Sequence, residues 1–240
     1  MSALSTDAPP TATGVAARAT ALVKTYGRGA TQVRALDGVD LEISAGRFTA
    51  IMGPSGSGKS TLMHCLAGLD TPTSGSVVVS GRELAELSDT DLTRFRRDHI
   101  GFVFQSFNLL PMLTARQNIL LPVDLGRRRV DPAWFDLLVD VLAIGDRLGH
   151  RPGEMSGGQQ QRVAVARGLV TRPTIMFADE PTGNLDSHAG AEVLGLLRRC
   201  VRELGQTVVM VTHDQQSASY ADDLVVIEDG RVVGTGPAPR

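Results

Sequence analysis

The stretch Gly53–Thr61 reads GPSGSGKST and lies between the apolar run Phe48–Met52 and the apolar, helix-favouring run Leu62–Ala67. A strand, a glycine-rich loop and a helix start in that order are the context of a phosphate-binding loop, which demands an α/β setting. Gly53, Gly56 and Gly58 let the backbone turn with its N–H groups inward, where phosphate oxygens can accept from them. The dipole at the start of the following helix adds to that attraction. Lys59 is placed to reach the β- and γ-phosphates, and Ser60 to ligate Mg²⁺. Thr61 is expected to add a hydroxyl on the α-phosphate side. A nucleoside triphosphate with Mg²⁺ is the ligand this loop calls for.

The 240 residues suffice for one large α/β domain or for a core domain with a subdomain. Hydrophobic residues make up 42% and charged residues 21%, an ordinary globular balance. A net charge of −2 gives no basic field, so no nucleic acid is expected as a partner. Cys65 and Cys200 fall inside predicted helices and read as small apolar core residues kept reduced. No stretch approaches the roughly 18 apolar residues of a membrane span, so work at a membrane would need a partner. Residues 1–18, rich in Ala, Thr, Ser and Pro, read as a disordered leader without the basic and apolar regions of a secretory signal.

Thr20–Lys24 and Val39–Ile43 are β-rich, with Tyr26 and turn residues between them. Tyr26 is open to two readings, ordinary packing or a ring that stacks on a base. A turn at Pro72–Gly75 leads into a short strand, Val77–Ser80. Ser88 and Asp91 have the spacing of a helix cap, and Ile100–Phe104 is a strand with Gln105 at its end. Thr114 and Gln117 form a predicted capping box for a helix to about Leu121. Asp131 and Pro132 start another helix, to about Ala143, with Leu137, Leu138, Val141 and Leu142 as its apolar stripe. Between these helices, Arg127–Arg129 reads as a solvated loop or as a contact for lipid headgroups or a partner.

Met155–Gln159 reads MSGGQ ahead of a helix to about Val170. Ser156 and Gln159 again have capping-box spacing, while two glycines at a helix start leave N–H groups bare for a phosphate. Both readings stay open on the residues alone. Thr174–Ala178 is an apolar strand ending in Asp179–Glu180, the position where open α/β sheets place ligand-binding groups. Neighbouring acids repel, so one of them is expected to have a raised pKa without a metal. Asp179 can hold Mg²⁺, through water, while Glu180 polarises the attacking water. An amphipathic helix over Ser187–Leu204 stops at Gly205, and the strand Thr207–Thr212 ends at His213. His213 shares the strand-end position of Asp179, so structural and γ-phosphate-contacting roles are both open. Glu228–Asp229–Gly230 is a hairpin turn, and Gly236–Arg240 is expected to fray.

In this order the pieces resemble the nucleotide-binding subunit of an ATP-binding cassette (ABC) transporter: phosphate loop, Gln105, MSGGQ with QQR after it, IMFADE, GNLD at 183–186, then His213. The resemblance implies a P-loop NTPase core, a mixed sheet flanked by helices, with an antiparallel β subdomain and an inserted α-helical subdomain at about 87–165. One such domain would run over 19–235. Tyr26 then looks like the adenine-stacking aromatic, and Gly53, Pro54, Ser55, Gly56, Ser57, Gly58, Lys59, Ser60 and Thr61 like the ATP phosphate cradle. Ser60, Gln105 and Asp179 look like the Mg²⁺ residues, and Glu180, His213, Gln105 and Lys59 like the catalytic set. Ser156, Gly157, Gly158 and Gln159 look like the signature that caps the γ-phosphate of an opposite subunit, with Asp186 at the dimer seam. The implied partners are a second copy, head to tail, and a permease facing Gln105 and Ser106–Val123 at the cytoplasmic side of a membrane.

FRRDHIGFVFQSFNLLPMLTARQNILLP, LAGLDTPTSG and ADEPTGNLDS are similar to the macrolide-export and lipoprotein-release branch. That resemblance implies a motor for export or extraction. The alternative is a regulatory ATPase of the cell-division type, signalling through a permease-like partner to an outside hydrolase. A soluble cassette of translation or repair would carry two cassettes or long coiled coils, and no sustained heptad repeat is present. No N-K-x-D motif supports a GTPase, and a small-molecule kinase would not explain MSGGQ or His213.

Overall fold

A computed structural model describes residues 14–239. The described chain opens with two long antiparallel strands, β1 (Val15–Tyr26) and β2 (Val33–Ser44), then enters the short β3 (Phe48–Met52), apolar but for Thr49. Helix α1 (Lys59–Leu66) leads through β4 (Ser74–Val79) and β5 (Arg82–Glu83) to α2 (Asp89–His99) and β6 (Ile100–Phe104). Three helices follow: α3 (Ala115–Leu125), α4 (Pro132–Val141) and α5 (Gly157–Leu169). The remainder alternates as β7 (Ile175–Asp179), α6 (Ser187–Leu204), β8 (Thr207–Val211), the short α7 (Gln215–Ala218) and the hairpin β9 (Asp223–Glu228) with β10 (Arg231–Pro237).

Two sheets result. One is antiparallel, in the order β2-β1-β4-β5; the other has the order β10-β9-β3-β8-β7-β6, parallel except for β10. The central parallel strands are buried on both faces, which is why β3, β7 and β8 are mostly apolar, with only Thr49, Asp179 and Thr207 polar. Their period of two divides the core. Ala50, Met176, Ala178, Val208 and Met210 face helices α3 to α6, whereas Ile51, Phe177, Val209 and Val211 face α1 and the antiparallel sheet. In-register pairing of Phe104 with Asp179, of Asp179 with Val211, and of Ile51 with Val211 brings the parallel strands to a common edge. The phosphate loop, Gln105, Glu180 and His213 all leave the sheet there.

The helix ends follow local chemistry. Thr114 and Gln117 make the expected capping box, Asp131 caps α4 ahead of Pro132, and Gly205 ends α6 in the left-handed conformation at φ +65°. Asp229 and Gly230 both take positive φ, the turn a two-residue hairpin requires.

Several boundaries differ from expectation. Of the leader expected over 1–18, residues 1–13 lie outside the described residues, and Val15–Arg18 are already strand. Ala16 and Ala17 are buried there, and Ala17 is paired with Val79. Alanine is a poor strand former, but the partners β2 and β4 outweigh propensity. Gly236 and Pro237 belong to β10 rather than to a frayed tail, because β9 offers them a ladder. Residues 87–165, expected as one helical insertion, contain β6, a strand of the six-stranded sheet, so α2 precedes that strand and α3 and α4 follow it. Helix α3 runs past Leu121 to Leu125 with Pro122 inside it, where the carbonyl of Asn118 forgoes its helical donor. On α4, Leu137 is exposed, and Phe135, Leu138, Val139 and Val141 form the buried face.

Candidate active site

The loop from Gly53 to Gly58 turns through φ +155° at Gly53, +79° at Gly56 and +102° at Gly58. Proximity adds a second requirement at two of these. A Cβ on Gly53 would lie 2.0 Å from the Ile227 carbonyl oxygen, and one on Gly58 would lie 2.3 Å from that of Ala35. The loop is therefore clamped from outside by β2 and β9. Lys59 is largely buried, and its Nζ bends back to donate to the carbonyls of Gly53 (2.9 Å) and Pro54 (2.7 Å). The Ser57 hydroxyl is buried without a hydrogen-bond partner among the described residues. Ser60 Oγ donates to Asp179 Oδ1 at 3.5 Å, a long contact that places hydroxyl and carboxylate oxygens side by side.

The Asp179 carboxyl is held above its ordinary range, chiefly by burial; the neighbouring Glu180 charge contributes less than burial does. A cation at Ser60 and Asp179 would relieve that cost. Among the described residues no group of three or more His, Cys, Asp or Glu side chains could hold a metal alone. A hydroxyl and one carboxylate, with further oxygens supplied by phosphates, is a donor set that suits Mg²⁺.

Glu180 sits in the left-handed region at φ +47°, unusual for a residue with a side chain. Its N–H donates to the Val211 carbonyl at 3.0 Å, and its own carbonyl accepts from Gly183 N–H at 3.0 Å, so both peptide groups are fixed. Positive φ outside glycine clusters at functional positions when the surroundings enforce it. The Glu180 carboxylate meets His213 Nδ1 at 2.7 Å, and this contact raises the His213 pKa, by hydrogen bond first and by charge second. With Nδ1 turned to Glu180, Nε2 is free to donate elsewhere. Glu180, His213, Lys59 and Gly53–Ser55 line one open cavity of ≈ 920 Å³. The structure thus brings the phosphate loop and the two strand-end residues to a common space.

Other expected residues lie around that space. Gln105 donates from Nε2 to Asn184 Oδ1 (3.2 Å), and Asn184 returns a bond to the Gln105 carbonyl (3.1 Å). Its amide is therefore engaged by the 183–184 turn, with Gly183 tight against it. Tyr26 ends β1 with an exposed ring; its hydroxyl donates to Asp70, and Lys24 Nζ lies 4.9 Å from the ring centroid. Thr61 lies beside the Tyr26 hydroxyl. Asp186 caps α6 by accepting from Ala189 N–H at 2.9 Å, and it lines a smaller depression shared with Glu180 and His213.

Ser156 and Gln159 make the reciprocal capping box of α5, at 3.3 and 3.0 Å. Gly157 and Gly158 have a packing reason of their own, since added Cβ atoms would lie 3.0 Å from Leu185 and 3.3 Å from Ala189. Residues 156–159 are not among those lining the 920 Å³ cavity. Both cysteines are buried, and burial pushes their thiols up to about 11 for Cys65 and about 12 for Cys200, which leaves them inert core residues.

Three polar side chains, two buried (Asn118 and Gln161) and one half-buried (Arg167), went unread in the sequence. Asn118 binds the backbone of Leu110, Leu113 and Thr114; Arg167 donates to the carbonyls of Phe107 and Asn108; Gln161 donates to those of Phe104 and Pro181. Together they hold the chain before and after Gln105 and directly after Glu180. The one available signal was QQR directly after MSGGQ.

A sheet with this strand order, a clamped phosphate loop and two acids at the edge of β7 defines a P-loop ATPase of the cassette type. The ABC transporter family profile matches residues 36–183. The lipoprotein-releasing system ATP-binding protein LolD of Anaeromyxobacter dehalogenans is 47% identical over 220 residues, 90% of this chain and 92% of that protein. The macrolide export ATP-binding/permease protein MacB of Bdellovibrio bacteriovorus is 47% identical over 207 residues, 86% of this chain; the matched part is 32% of MacB, about a third of its length. Among solved structures, the dimeric post-hydrolysis state of the ATP-binding cassette MJ0796 bound to ADP and Pi superposes with TM-score 0.81 at 40% identity, covering 93% of this chain and 99% of that one. The chain belongs to the ABC transporter family, as an ATP-binding, ATP-hydrolysing subunit of the macrolide-export and lipoprotein-release branch.

Proposed function

We propose that this subunit is the motor of an export or extraction system, hydrolysing ATP between two copies of itself and driving a membrane permease. The observation that carries the catalytic part is the Glu180–His213 pair, held by a strained backbone on the cavity that Lys59 and the phosphate loop line. Glu180 accepts a proton from a water as that water's oxygen bonds to the γ-phosphorus. The bond from the γ-phosphorus to the bridging oxygen breaks, leaving ADP and phosphate. Lys59 leaves the Gly53 and Pro54 carbonyls to meet the β- and γ-phosphates, and His213 contacts the γ-phosphate through Nε2. Ser60 and Asp179 would hold Mg²⁺, joined by Gln105 once its amide turns from Asn184. When bound, the ion neutralises phosphate charge and so favours displacement. Tyr26 stacks on adenine with the face opposite Lys24.

Ser156–Gln159 serve the site of the second copy, with Asp186 at the seam. Their place outside the cavity of their own chain supports this, as does the dimeric state of the MJ0796 cassette. No helix of the described residues is long and apolar enough to cross a membrane. Gln105 and Ser106–Val123 present the permease contact at the cytoplasmic face, with Leu110 and Met112 exposed on it. The names of the LolD and MacB relatives support a lipoprotein or a macrolide-like compound as cargo, handled by a partner chain; a peptide is the further class this motor would suit. The test is a pull-down from detergent-solubilised native membranes with Glu180→Gln and Mg-ATP, read by mass spectrometry. A copurifying permease with a large outside domain is the expected result. Ribosomal or repair proteins without any membrane protein would overturn the transport reading, and a wall hydrolase in the complex would turn it to signalling.

A further inference from the structure

Gln161 is fully buried in the second turn of α5, five residues beyond Ser156. Its Nε2 donates to the Pro181 carbonyl at 2.6 Å and to the Phe104 carbonyl at 3.3 Å. Phe104 directly precedes Gln105, and Pro181 directly follows Glu180. Its Oε1 is buried without a partner among the described residues. That combination separates two explanations of the residue. A methionine or leucine would fill the same volume without an unpaired Oε1 but would leave the buried Pro181 carbonyl without its donor, so what sets glutamine apart from an apolar filler here is its Nε2. What only the amide supplies is a donor that joins the last carbonyl of β6 to the carbonyl that follows Glu180.

We propose that Gln161 is a positioning residue that ties the helix bearing Ser156–Gln159 to the backbone carrying Gln105 and Glu180 in the same chain. The inference rests on the roles proposed above for those residues and deepens them. A capped helix start moves as a unit, because Ser156 and Gln159 are locked to each other and the Gln160 amide donates to the Met155 carbonyl at 3.1 Å. Displacement of that start, when Ser156–Gln159 engage a phosphate of the second copy, shifts the Gln161 amide. The Phe104 and Pro181 carbonyls follow it. Each subunit's contact with its neighbour's nucleotide thereby adjusts the subunit's own water-positioning pair, a mechanical link between the two sites of a dimer.

The experiment measures steady-state ATP hydrolysis by the full chain carrying Gln161→Met, with Gln161→Leu as a second apolar variant. Turnover is expected to fall roughly tenfold while KM for Mg-ATP changes less than about twofold, as a misplaced catalytic group predicts. The melting temperature is expected to fall modestly, since the buried Pro181 carbonyl loses its donor, so turnover is read well below the transition, where each variant remains folded. Gln161→Glu, which turns a donor into an acceptor facing two carbonyls, should fall further. In a Gln105→Ala background, Gln161→Met should cost less than it does in the wild-type background, because the part of its effect that passes through Gln105 is already lost while the part through Glu180 remains. Wild-type turnover in both apolar variants overturns the proposal, as does a loss that the unfolded fraction at the assay temperature accounts for; a loss equal in both backgrounds overturns the link to Gln105. Should Gln105→Ala itself leave turnover unchanged, the role of Gln105 falls, and turnover in the Gln161 single variants decides the inference alone.

Discussion

The molecule has two glycine-bearing helix starts, and they are built in opposite ways. At α1 the loop is enclosed by its own chain: Ile227 and Ala35 press on Gly53 and Gly58, and Lys59 is folded inward onto loop carbonyls. At α5 the start is closed locally by Ser156 and Gln159, with Gly157 and Gly158 against Leu185 and Ala189. The first shares a cavity with Glu180 and His213, and the second does not. Both offer N–H groups and a helix dipole to an anion, but only the α1 loop has catalytic groups within reach. On the function proposed above, a helix start with the chemistry of a phosphate site and no reactive neighbours in its own chain is half of a site, completed by a second copy.

The largest effect should come from the complete half. Glu180→Gln is expected to lower turnover by roughly 10²–10⁴ while ATP still binds, the usual worth of a positioned base. Size-exclusion chromatography with Mg-ATP should then show an accumulating dimer; turnover near wild type would remove Glu180 from that role. Lys59→Ala should weaken Mg-ATP binding by about ten- to a hundredfold, the range for lost charged hydrogen bonds, read by calorimetry. The α5 half is tested by mixing chains. Ser156→Arg and Lys59→Ala are each expected to be inactive alone, yet a mixed dimer assembles one site with both an intact loop and an intact α5 start. Mixed dimers shown to form but no more active than either parent would place both halves in one chain.

A smaller effect sharpens what each half recognises. Tyr26 is outside the cavity that the phosphate loop lines, with its hydroxyl fastened to Asp70 and one ring face toward Lys24. Tyr26→Ala should weaken ATP binding by about tenfold, the scale of one base stack. It should leave inorganic triphosphate binding unchanged, because no phosphate group touches the ring. Equal losses for both ligands would mean that the substitution disturbs α1 through Thr61 or Asp70 and that the ring is structural.

How far these features were legible depended on the range over which each is determined. The bounds of β3 and β6, and of the α6 stop at Gly205, follow from neighbours within a few residues and were read correctly. So was the Asp229–Gly230 turn. The start of β1 was not, because Ala16 and Ala17 are buried by strands tens of residues away. Glycine's freedom at Gly53 and Gly58 was visible, but the carbonyls that forbid a side chain come from β9 and β2. The repulsion expected between Asp179 and Glu180 was outranked by burial, a tertiary quantity. Gln161 escaped notice because a buried amide has no local signature: its partners lie 57 and 20 residues away.

The smallest effect is a pH dependence of stability at the Glu180–His213 contact. Glu180 raises the His213 pKa above its ordinary 6.5. A folded-state pKa above the unfolded one means that folding binds the proton more tightly, so the contribution is full below 6.5 and is lost as pH rises through the raised value. His213 is largely exposed, with 73% of its side-chain surface accessible, so the pair should be worth only about 0.2–1 kcal/mol. For a chain of this length that is a melting-temperature difference of about 2–4 °C at most between wild type and His213→Gln. The difference should be largest near pH 6 and vanish in mildly alkaline buffer. A gap that is flat with pH, or that widens as pH rises, would show that His213 holds Glu180 as a neutral imidazole, and the charged contact would then play no part in positioning the base.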